Sequence, residues 1–301
     1  MVAPAWLWIV FTVIGAAAQT ARTAMQRELI ETLGTIGATH VRFLFGLPFS
    51  LLFLALIAIV SPDPLPAPNA TALAWIGGGA LSQVAATALM LAAMRERSFI
   101  VTTALAKVEP VWVAFASAAF LHEPLTAPMM ATIAVATLGV LLMSWPRASH
   151  GGRAPSLQSA LLGLGAGALF GFAAIGYRGG IGALGGPSFL TAATVALAIA
   201  LAFQTAVLSA YLAVRDRQTL VAIARAWRPS LFAGFMGALA SQFWFLAFAL
   251  QSAALVRTVA LVEILFALFV SRRIFDQRLG GREALGILLL VAGVAALLNT
   301  V

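Results

Sequence analysis

Cysteine is absent from this 301-residue chain, and lysine occurs only once, at Lys107. Without cysteine, disulfide bonds and thiolate metal sites are excluded. The three histidines, His40, His122 and His150, do not have metal-ligand spacing, so we expect no haem, zinc or other cofactor. P-loop and nucleophile-elbow motifs are also missing. The sequence therefore does not predict an enzyme, and it does not predict ATP-driven work by this chain alone.

Charge is scarce as well, because only 9% of the residues are charged while 62% are hydrophobic. A soluble protein of this length cannot hide so much apolar surface in its core. We therefore predict an all-α integral membrane protein with the lipid bilayer as its main partner. The formal net charge of +8 is then explained by membrane topology, and no nucleic-acid partner is expected. The first apolar run has no basic residue before it, which favours a first transmembrane helix over a cleaved signal peptide.

Ten apolar runs are long enough to cross a bilayer core of about 30 Å, which needs about 20 residues per helix. Polar loops are predicted at residues 22–31 and 215–228, and kinks near Pro48 and Pro110. A polar linker at residues 147–157 separates two halves, 1–146 and 158–301. The predicted helices cover residues 4–21, 36–60, 71–94, 98–125, 127–145, 158–177, 188–214, 229–250, 252–274 and 283–299.

The stretch at residues 98–125 recurs without a gap at residues 252–279. Glu109 falls on Glu263 (263 − 109 = 154), and Gly139 falls on Gly293 at the same offset. Five helices per half force the second half to enter the membrane in the opposite sense. The sequence therefore predicts two inverted repeats, an arrangement that transporters use for alternating access with a site at the midplane.

Arginines are concentrated on one side of the ten predicted helices. The loops after odd-numbered helices hold fourteen of them, whereas the opposite loops and both tails hold only Arg178. The positive-inside rule then places the first set in the cytoplasm and both termini in the periplasm. The fourteen are Arg22, Arg27, Arg95, Arg97, Arg147, Arg153, Arg215, Arg217, Arg225, Arg228, Arg272, Arg273, Arg278 and Arg282.

Glu109 and Glu263 are the first candidate site residues, because both lie inside apolar helices. A carboxylate in hydrocarbon is costly unless it is paired, hydrated or protonated, and such residues usually mark substrate or proton paths. We predict that they bind substrate or protons. The alternative is a structural hydrogen bond between the fourth and ninth predicted helices.

Lys107 and Arg257 are the buried cations in the same helices. Residues two apart on a helix do not face each other, so Lys107 is not expected to pair with Glu109. Pairing across the halves is predicted instead, Lys107 with Glu263 or Arg257 with Glu109. Such pairs either bind a zwitterion by exchanging partners or pin the halves together permanently. For Arg257, snorkelling towards a helix end is a further possibility.

Four polar and aromatic side chains are predicted to line a pocket for an organic ligand: Gln83, Gln242, Trp112 and Trp244. For the tryptophans, a lipid-facing position is the ordinary alternative. The remaining candidates are assigned structural or gating roles. His40 and Arg42 are interpreted mainly as interfacial anchors with a possible gating role, Pro110 as a kink, and Glu123 as a brace at the outer end of the fourth helix.

The segment ALAKVEPVWVAFASAAFLHEPLTAPMMATIAVATLGVLLM resembles the second half of an EamA repeat. The resemblance rests on Glu109-Pro110, Glu123 and Gly139. The second copy keeps Glu263 and Gly293 but departs at Ile264 and Gln277. This resemblance implies a ten-helix carrier of the drug/metabolite transporter superfamily in a bacterial inner membrane, often an exporter of amino acids or other small metabolites.

The leading prediction is therefore a secondary transporter of small organic metabolites that works by alternating access and functions as a monomer. An uptake carrier or exchanger is the nearest alternative. A non-transporting intramembrane enzyme or partner subunit is the alternative from another class, and flux by the purified protein alone discriminates them.

Overall fold

The computed structural model describes residues 3–93, 105–144, 157–266 and 281–299, and in these ranges the regular structure is helical without strands. Six of the described helices are long and apolar enough to cross a membrane, and two shorter apolar ones are Glu109–Leu121 and Ala127–Met143. The prediction of an all-α, multi-pass chain is confirmed at this level.

The described ranges hold helices of very different lengths. In chain order they are α1 (Leu7–Leu44), α2 (Gly46–Val60), α3 (Ala70–Ala93), α4 (Glu109–Leu121), α5 (Ala127–Ser144), α6 (Leu157–Leu184), α7 (Phe189–Arg215), α8 (Arg217–Arg225), α9 (Trp227–Leu250), α10 (Ala253–Val259), a 3₁₀ turn (Ala260–Val262) and α11 (Gly281–Leu298).

Several predictions concern residues outside the described ranges. They include the start of the predicted fourth helix, the end of the ninth, Gln277, and the linker at 147–157 except its last residue. Seven arginines used for the orientation also lie there: Arg95, Arg97, Arg147, Arg153, Arg272, Arg273 and Arg278.

The polar loop predicted at residues 22–31 is wrong, because these residues are helical within α1. The chain breaks instead at Gly34, whose φ of 67° lies in the left-handed region that favours glycine. Gln26 spans the bend and donates a 3.0 Å hydrogen bond to the Ala38 carbonyl. Arg22 is only 3% exposed within this helix. It is therefore not a loop residue and does not support the orientation that was predicted from the loop arginines.

A kink was predicted near Pro48. There, α1 and α2 are separated only by Phe45, which keeps right-handed helical dihedrals (φ −81°, ψ −14°) and donates a 3.1 Å hydrogen bond to the Val41 carbonyl. Pro48 occupies the first turn of α2, where a backbone N–H has no partner within the helix. The proline therefore belongs to the start of a helix and does not distort its interior.

The second predicted loop, residues 215–228, is also wrong, since it contains the short helix α8. The Asp216 carboxylate caps α8 by accepting hydrogen bonds from the Thr219 backbone at 3.1 Å and from its hydroxyl at 2.6 Å. Ile223 is 1% exposed, on the face that packs against α1. Gly37 permits this approach, because a Cβ there would lie 3.0 Å from the Thr219 methyl.

The contacts within the chain divide it into two compact units. Unit 1 comprises Met1–Val84 and Gly176–Gln251, and unit 2 comprises Ala85–Ile175 and Ser252–Val301. In unit 1, α9 packs against α1, α2 and α7, and α8 packs against α1 and α7. In unit 2, α5 packs against α11 and α4 against α10. Each unit thus takes segments from both predicted halves.

Within unit 2, α5 and α11 have equivalent bounds in the two repeats (281 − 127 = 154 and 298 − 144 = 154). Their contacts are reciprocal. A Cβ at Gly139 would lie 2.6 Å from the Leu290 backbone nitrogen, and one at Gly293 would lie 2.6 Å from the Ala136 nitrogen. Positions 136 and 290 are themselves repeat equivalents, so each helix offers its partner the same pair of positions.

Candidate functional site

Both candidate glutamates begin a helical segment directly after a break in unit 2. In the first copy, residues 107–108 form a turn and α4 starts at Glu109. In the second, α10 ends at Val259, the 3₁₀ turn follows, and the helix resumes at Glu263. The two breaks occupy equivalent positions of the repeats. A short 3₁₀ stretch inside a helix often marks a functional hinge.

The break in the first copy does not depend on Pro110 alone. Pro110 lies in the first turn of α4, where its missing N–H breaks no helical hydrogen bond. The second copy has Ile264 at the equivalent position and breaks at the same place. Pro110 is therefore compatible with the interruption and is not its shared cause.

Arg257 and Glu109 form one of the predicted pairs across the two halves. The Arg257 guanidinium nitrogen Nη2 lies 2.5 Å from Glu109 Oε2. The two side chains are 12% and 8% exposed, so the ion pair is nearly buried inside the protein. Snorkelling of Arg257 to a helix end is wrong, because its guanidinium is engaged inside unit 2.

Lys107 and Glu263 form the other predicted pair, with the ammonium nitrogen of Lys107 in contact with Glu263 Oε1. Their side chains are 20% and 11% exposed. Two carboxylates and two cations from both halves thus lie in unit 2 as two neutral pairs. Pairing removes most of the cost of placing these charges in a low-dielectric interior.

The two pairs are not equivalent, although their glutamates are. Glu109 has a permanently charged arginine as its partner, whereas Glu263 has a lysine. The second oxygen of Glu109, Oε1, is buried and has no hydrogen-bond partner among the described residues. Glu109 also lies in the first turn of α4, where the helix dipole favours negative charge. The arrangement can bind an ammonium group at Glu109 and a carboxylate at Arg257.

Gln83 belongs to unit 1 and takes part in a polar cluster that sequence reasoning missed. Gln83 Oε1 accepts 2.9 Å hydrogen bonds from the Tyr177 hydroxyl and from Gln204 Nε2. Gln204 Nε2 also lies 3.0 Å from the Tyr177 oxygen and 3.2 Å from the Ala80 carbonyl. A glutamine and a tyrosine within apolar helices were the available signal, because such groups need partners in lipid.

Gln242 is also in unit 1, where it is buried at 6% exposure. Its Nε2 donates a 2.8 Å hydrogen bond to the Thr194 hydroxyl, and its Oε1 is buried without a partner among the described residues. The expectation that Gln242 faces protein or a cavity, and not lipid, agrees with this position.

The two candidate tryptophans have opposite environments. Trp244 is 5% exposed in unit 1, packs against Gly15 and stacks on Phe248 with ring centroids 6.4 Å apart. Trp112 is 45% exposed in unit 2 and lines an open apolar groove with residues of α4 and α6, including Phe172. Trp112 therefore has the surface position that was the ordinary alternative.

His40 and Arg42 are buried in unit 1, at 0% and 2% exposure, which differs from the interfacial anchoring expected from the sequence. They lie on the part of α1 that packs against α9, because the helix continues past the predicted loop. His40 Nε2 is 3.0 Å from the Ser209 hydroxyl. The Arg42 stem packs against Gly237, next to Arg22.

Glu123 follows the end of α4 in unit 2. The chain turns at His122, which has a left-handed φ of 54°, and the Ser117 hydroxyl donates to the Glu123 carboxylate. This contact ties the segment after α4 back to the helix, as a brace would. Among the described residues, no group of three His, Asp or Glu side chains could hold a metal ion.

Six apolar helices of membrane-crossing length among the described residues define a multi-pass membrane protein. Residues 6–145, a little under half of the chain, match the model of the EamA-like transporter family. The resemblance drawn from Glu109-Pro110, Glu123 and Gly139 is thereby confirmed.

No curated protein matches the chain significantly. One of the solved structures that match, a crystal structure of a protein, has a TM-score of 0.66 at 14% sequence identity. The match covers 97% of this chain and 95% of that one. At this identity the likeness shows a shared fold and carries no information on substrate.

Proposed function

We propose that this chain is a secondary carrier of small organic metabolites, amino acids among them, that exports its substrate by alternating access. The observation that carries the proposal is the pair of neutral ion pairs at equivalent helix breaks. Discontinuous helices with charged ends are how many transporters build their substrate sites. A gradient or exchange supplies the energy.

The proposed topology is ten transmembrane helices in two inverted five-helix repeats, 1–146 and 158–301, joined by the linker at 147–157. The equal bounds and reciprocal contacts of α5 and α11 support it. The chain is placed in a bacterial inner membrane as a functional monomer. Arg215, Arg217, Arg225 and Arg228, all exposed around α8, support a cytoplasmic location for that segment and periplasmic termini.

The proposed binding step is an exchange of ionic partners. A zwitterionic substrate presents its ammonium group to Glu109 and its carboxylate to Arg257, so the buried charges stay compensated throughout. The pair of Lys107 and Glu263 has the same charges and offers a second position of the same kind. Each exchange avoids leaving a bare charge in the interior, which would cost about 3–5 kcal/mol.

The test is flux through vesicles that contain only the purified protein. Labelled amino acids are exchanged against unlabelled ones, and Glu109→Gln and Glu263→Gln are compared with Glu283→Gln, a carboxylate in the first turn of α11. We expect each of the first two variants to lose at least about tenfold in rate. A lost interaction of about 1.4 kcal/mol with the transported substrate corresponds to a factor of ten. Unchanged rates in both would leave the ion pairs with a structural role.

The same assay separates the alternatives. Flux by the isolated chain would exclude the hypothesis that it is a subunit dependent on a partner. Absence of flux with every metabolite tested would favour that hypothesis. An inward gradient that drives faster net transport than an outward one would favour an uptake carrier over an exporter.

A further inference from the structure

The short helix α8 lies at the ends of two candidate membrane spans. It connects the span Phe189–Arg215 to the span Trp227–Leu250. A nine-residue helix between two such ends must lie near the surface of the membrane. One face of α8 is held by the protein, since Ile223 is buried and Leu220 is half-buried. The other face is exposed, as in helices that lie in a membrane interface.

The exposed side of this segment is strongly basic. Arg215, Arg217, Arg225 and Arg228 are all exposed. Asp216 is the acidic residue of the segment 215–228, and its carboxylate is used to cap α8. Within this segment four guanidinium groups thus stand against one carboxylate, so it attracts anions.

A groove beside α8 combines this charge with an apolar floor. The groove has a volume of about 610 Å³ and lies between α8 and the end of the first segment of α1. Leu33, Val221, Ala222 and Ala226 line it, and Arg225 stands at its wall. Inorganic phosphate would gain nothing from such a floor, whereas the glycerol and upper acyl part of a lipid would.

An aromatic residue lies at the same level as the arginines. Trp227, the first residue of α9, is 49% exposed, and the Arg228 guanidinium carbon lies 5.4 Å from the centre of its ring. Tryptophan is enriched at the membrane–water boundary, where its ring sits among lipid headgroups. The stacking also orients Arg228 beside the boundary.

We propose that the groove beside α8 is a binding site for one anionic phospholipid. The phosphate contacts Arg225 and Arg228, and the glycerol and upper acyl chains lie against Leu33, Val221 and Ala222. This site belongs to unit 1 and does not depend on the ion pairs of unit 2 or on the transported substrate. Its ligand is part of the bilayer and is not carried across it.

The experiment measures lipid binding to the full chain, purified in detergent, by native mass spectrometry. Phosphatidylglycerol and phosphatidylcholine are titrated onto the native protein and onto Arg225→Gln/Arg228→Gln. An arginine near an anionic lipid surface is worth about a fivefold change in affinity, so the double variant is expected to bind phosphatidylglycerol about 25-fold more weakly. Its binding of phosphatidylcholine stays as in the native protein.

The matched control is Arg282→Gln, an exposed arginine at the start of α11. It is expected to leave phosphatidylglycerol binding unchanged. An equal loss in this control would mean that any arginine has the same effect, and the proposal would be overturned. Equal affinity of the native protein for the two lipids would overturn it as well.

Two further measurements complete the test. Millimolar inorganic phosphate is expected to leave the bound phosphatidylglycerol in place, and its displacement would show a simple phosphate site instead. If the double variant does not fold, the native protein is titrated at rising salt. Tight phosphatidylglycerol binding should then weaken while phosphatidylcholine binding does not, and parallel behaviour of the two lipids would refute the site.

Discussion

Arg257 donates a short hydrogen bond to Glu109 across 148 residues of sequence, from a helix of the second half to a helix of the first. Both residues lie in unit 2, and both side chains are nearly buried. The pair therefore joins the two halves of the chain through a charge-assisted contact, as the Lys107–Glu263 pair also does. Five predictions follow from this contact and from four other features of the described residues.

Removing one partner of the Arg257–Glu109 pair is expected to destabilise the protein by about 3 kcal/mol, because the other charge is left buried and alone. Glu109→Gln and Arg257→Gln should each show this loss in thermal unfolding of the detergent-purified protein. The double variant should cost clearly less than the sum, since it leaves no bare charge. Additive losses would mean that the two residues do not interact.

Gly139 and Gly293 set the distance between α5 and α11. An added Cβ at either position would lie 2.6 Å from a backbone nitrogen of the facing helix. Gly139→Ala and Gly293→Ala are expected to destabilise by about 1–3 kcal/mol through overpacking. The control is Gly78→Ala in α3, where nothing lies within 4 Å, and it should be neutral or stabilising. Similar losses at all three would contradict this account.

The Tyr177 hydroxyl contributes to the cluster around Gln83. Tyr177→Phe removes a 2.9 Å hydrogen bond to Gln83 and the contact with Gln204, and should cost about 1 kcal/mol. Tyr211, the other tyrosine, is 46% exposed, so Tyr211→Phe is the matched control with little expected effect. The thermal unfolding midpoints of the two variants measure this difference in stability. Equal midpoints would argue against a stabilising role for the cluster.

Pro110 is expected to be replaceable. Pro110→Ala should change stability by less than about 1 kcal/mol, because a proline in the first turn breaks no helical hydrogen bond. Ala116→Pro, in the interior of α4, should cost about 3 kcal/mol. A large loss of stability or flux in Pro110→Ala would show that this proline, and not the shared break, organises the site.

Asp216 gives α8 a dependence on pH. The hydrogen bond from the Thr219 hydroxyl, together with that from its backbone N–H, lowers the pKa of this carboxyl below its ordinary value of 3.8. A lowered pKa means that the charged cap stabilises α8 fully above the ordinary value. This stabilisation is lost as the pH falls through the lower value in the folded protein.

Amide hydrogen exchange over residues 217–225 measures this effect. Protection should fall at acid pH in the native protein and stay flat in Asp216→Asn, after both are corrected for the intrinsic dependence of exchange on pH. Parallel behaviour of the two proteins would show that the cap does not titrate in this range.

The ion pairs of the site could be predicted from the sequence, because the prediction required only the cost of a charge in the membrane and the positions of the charged residues in the repeat. Isolated charges cannot remain in hydrocarbon, and a helix does not bring residues two apart together. Pairing across the halves was therefore predicted, Lys107 with Glu263 or Arg257 with Glu109. The helices predicted at 127–145 and 283–299 did not have equivalent bounds, whereas α5 and α11 do, at the same offset of 154 as the repeat.

Local interpretation failed where tertiary packing overrode polarity. Residues 22–31 and 217–225 carry enough charge to be read as loops, yet both are helical. In α8, the Asp216 cap and the spacing of Leu220 and Ile223 were a usable signal for a helix. In α1, the buried Arg22 depends on its packing beside Gly237 of α9, which no local pattern reveals.

By itself, the sequence determined a lipid-embedded helical chain with duplicated carboxylates, because apolar composition and a repeat at a constant offset can be read from the residues alone. The tertiary structure alone decided that both helices break just before those carboxylates. It also decided that Glu109 keeps one buried oxygen without a partner among the described residues and that His40 and Arg42 are buried. Such features depend on which helix lies against which, and contacts between distant segments set their energies.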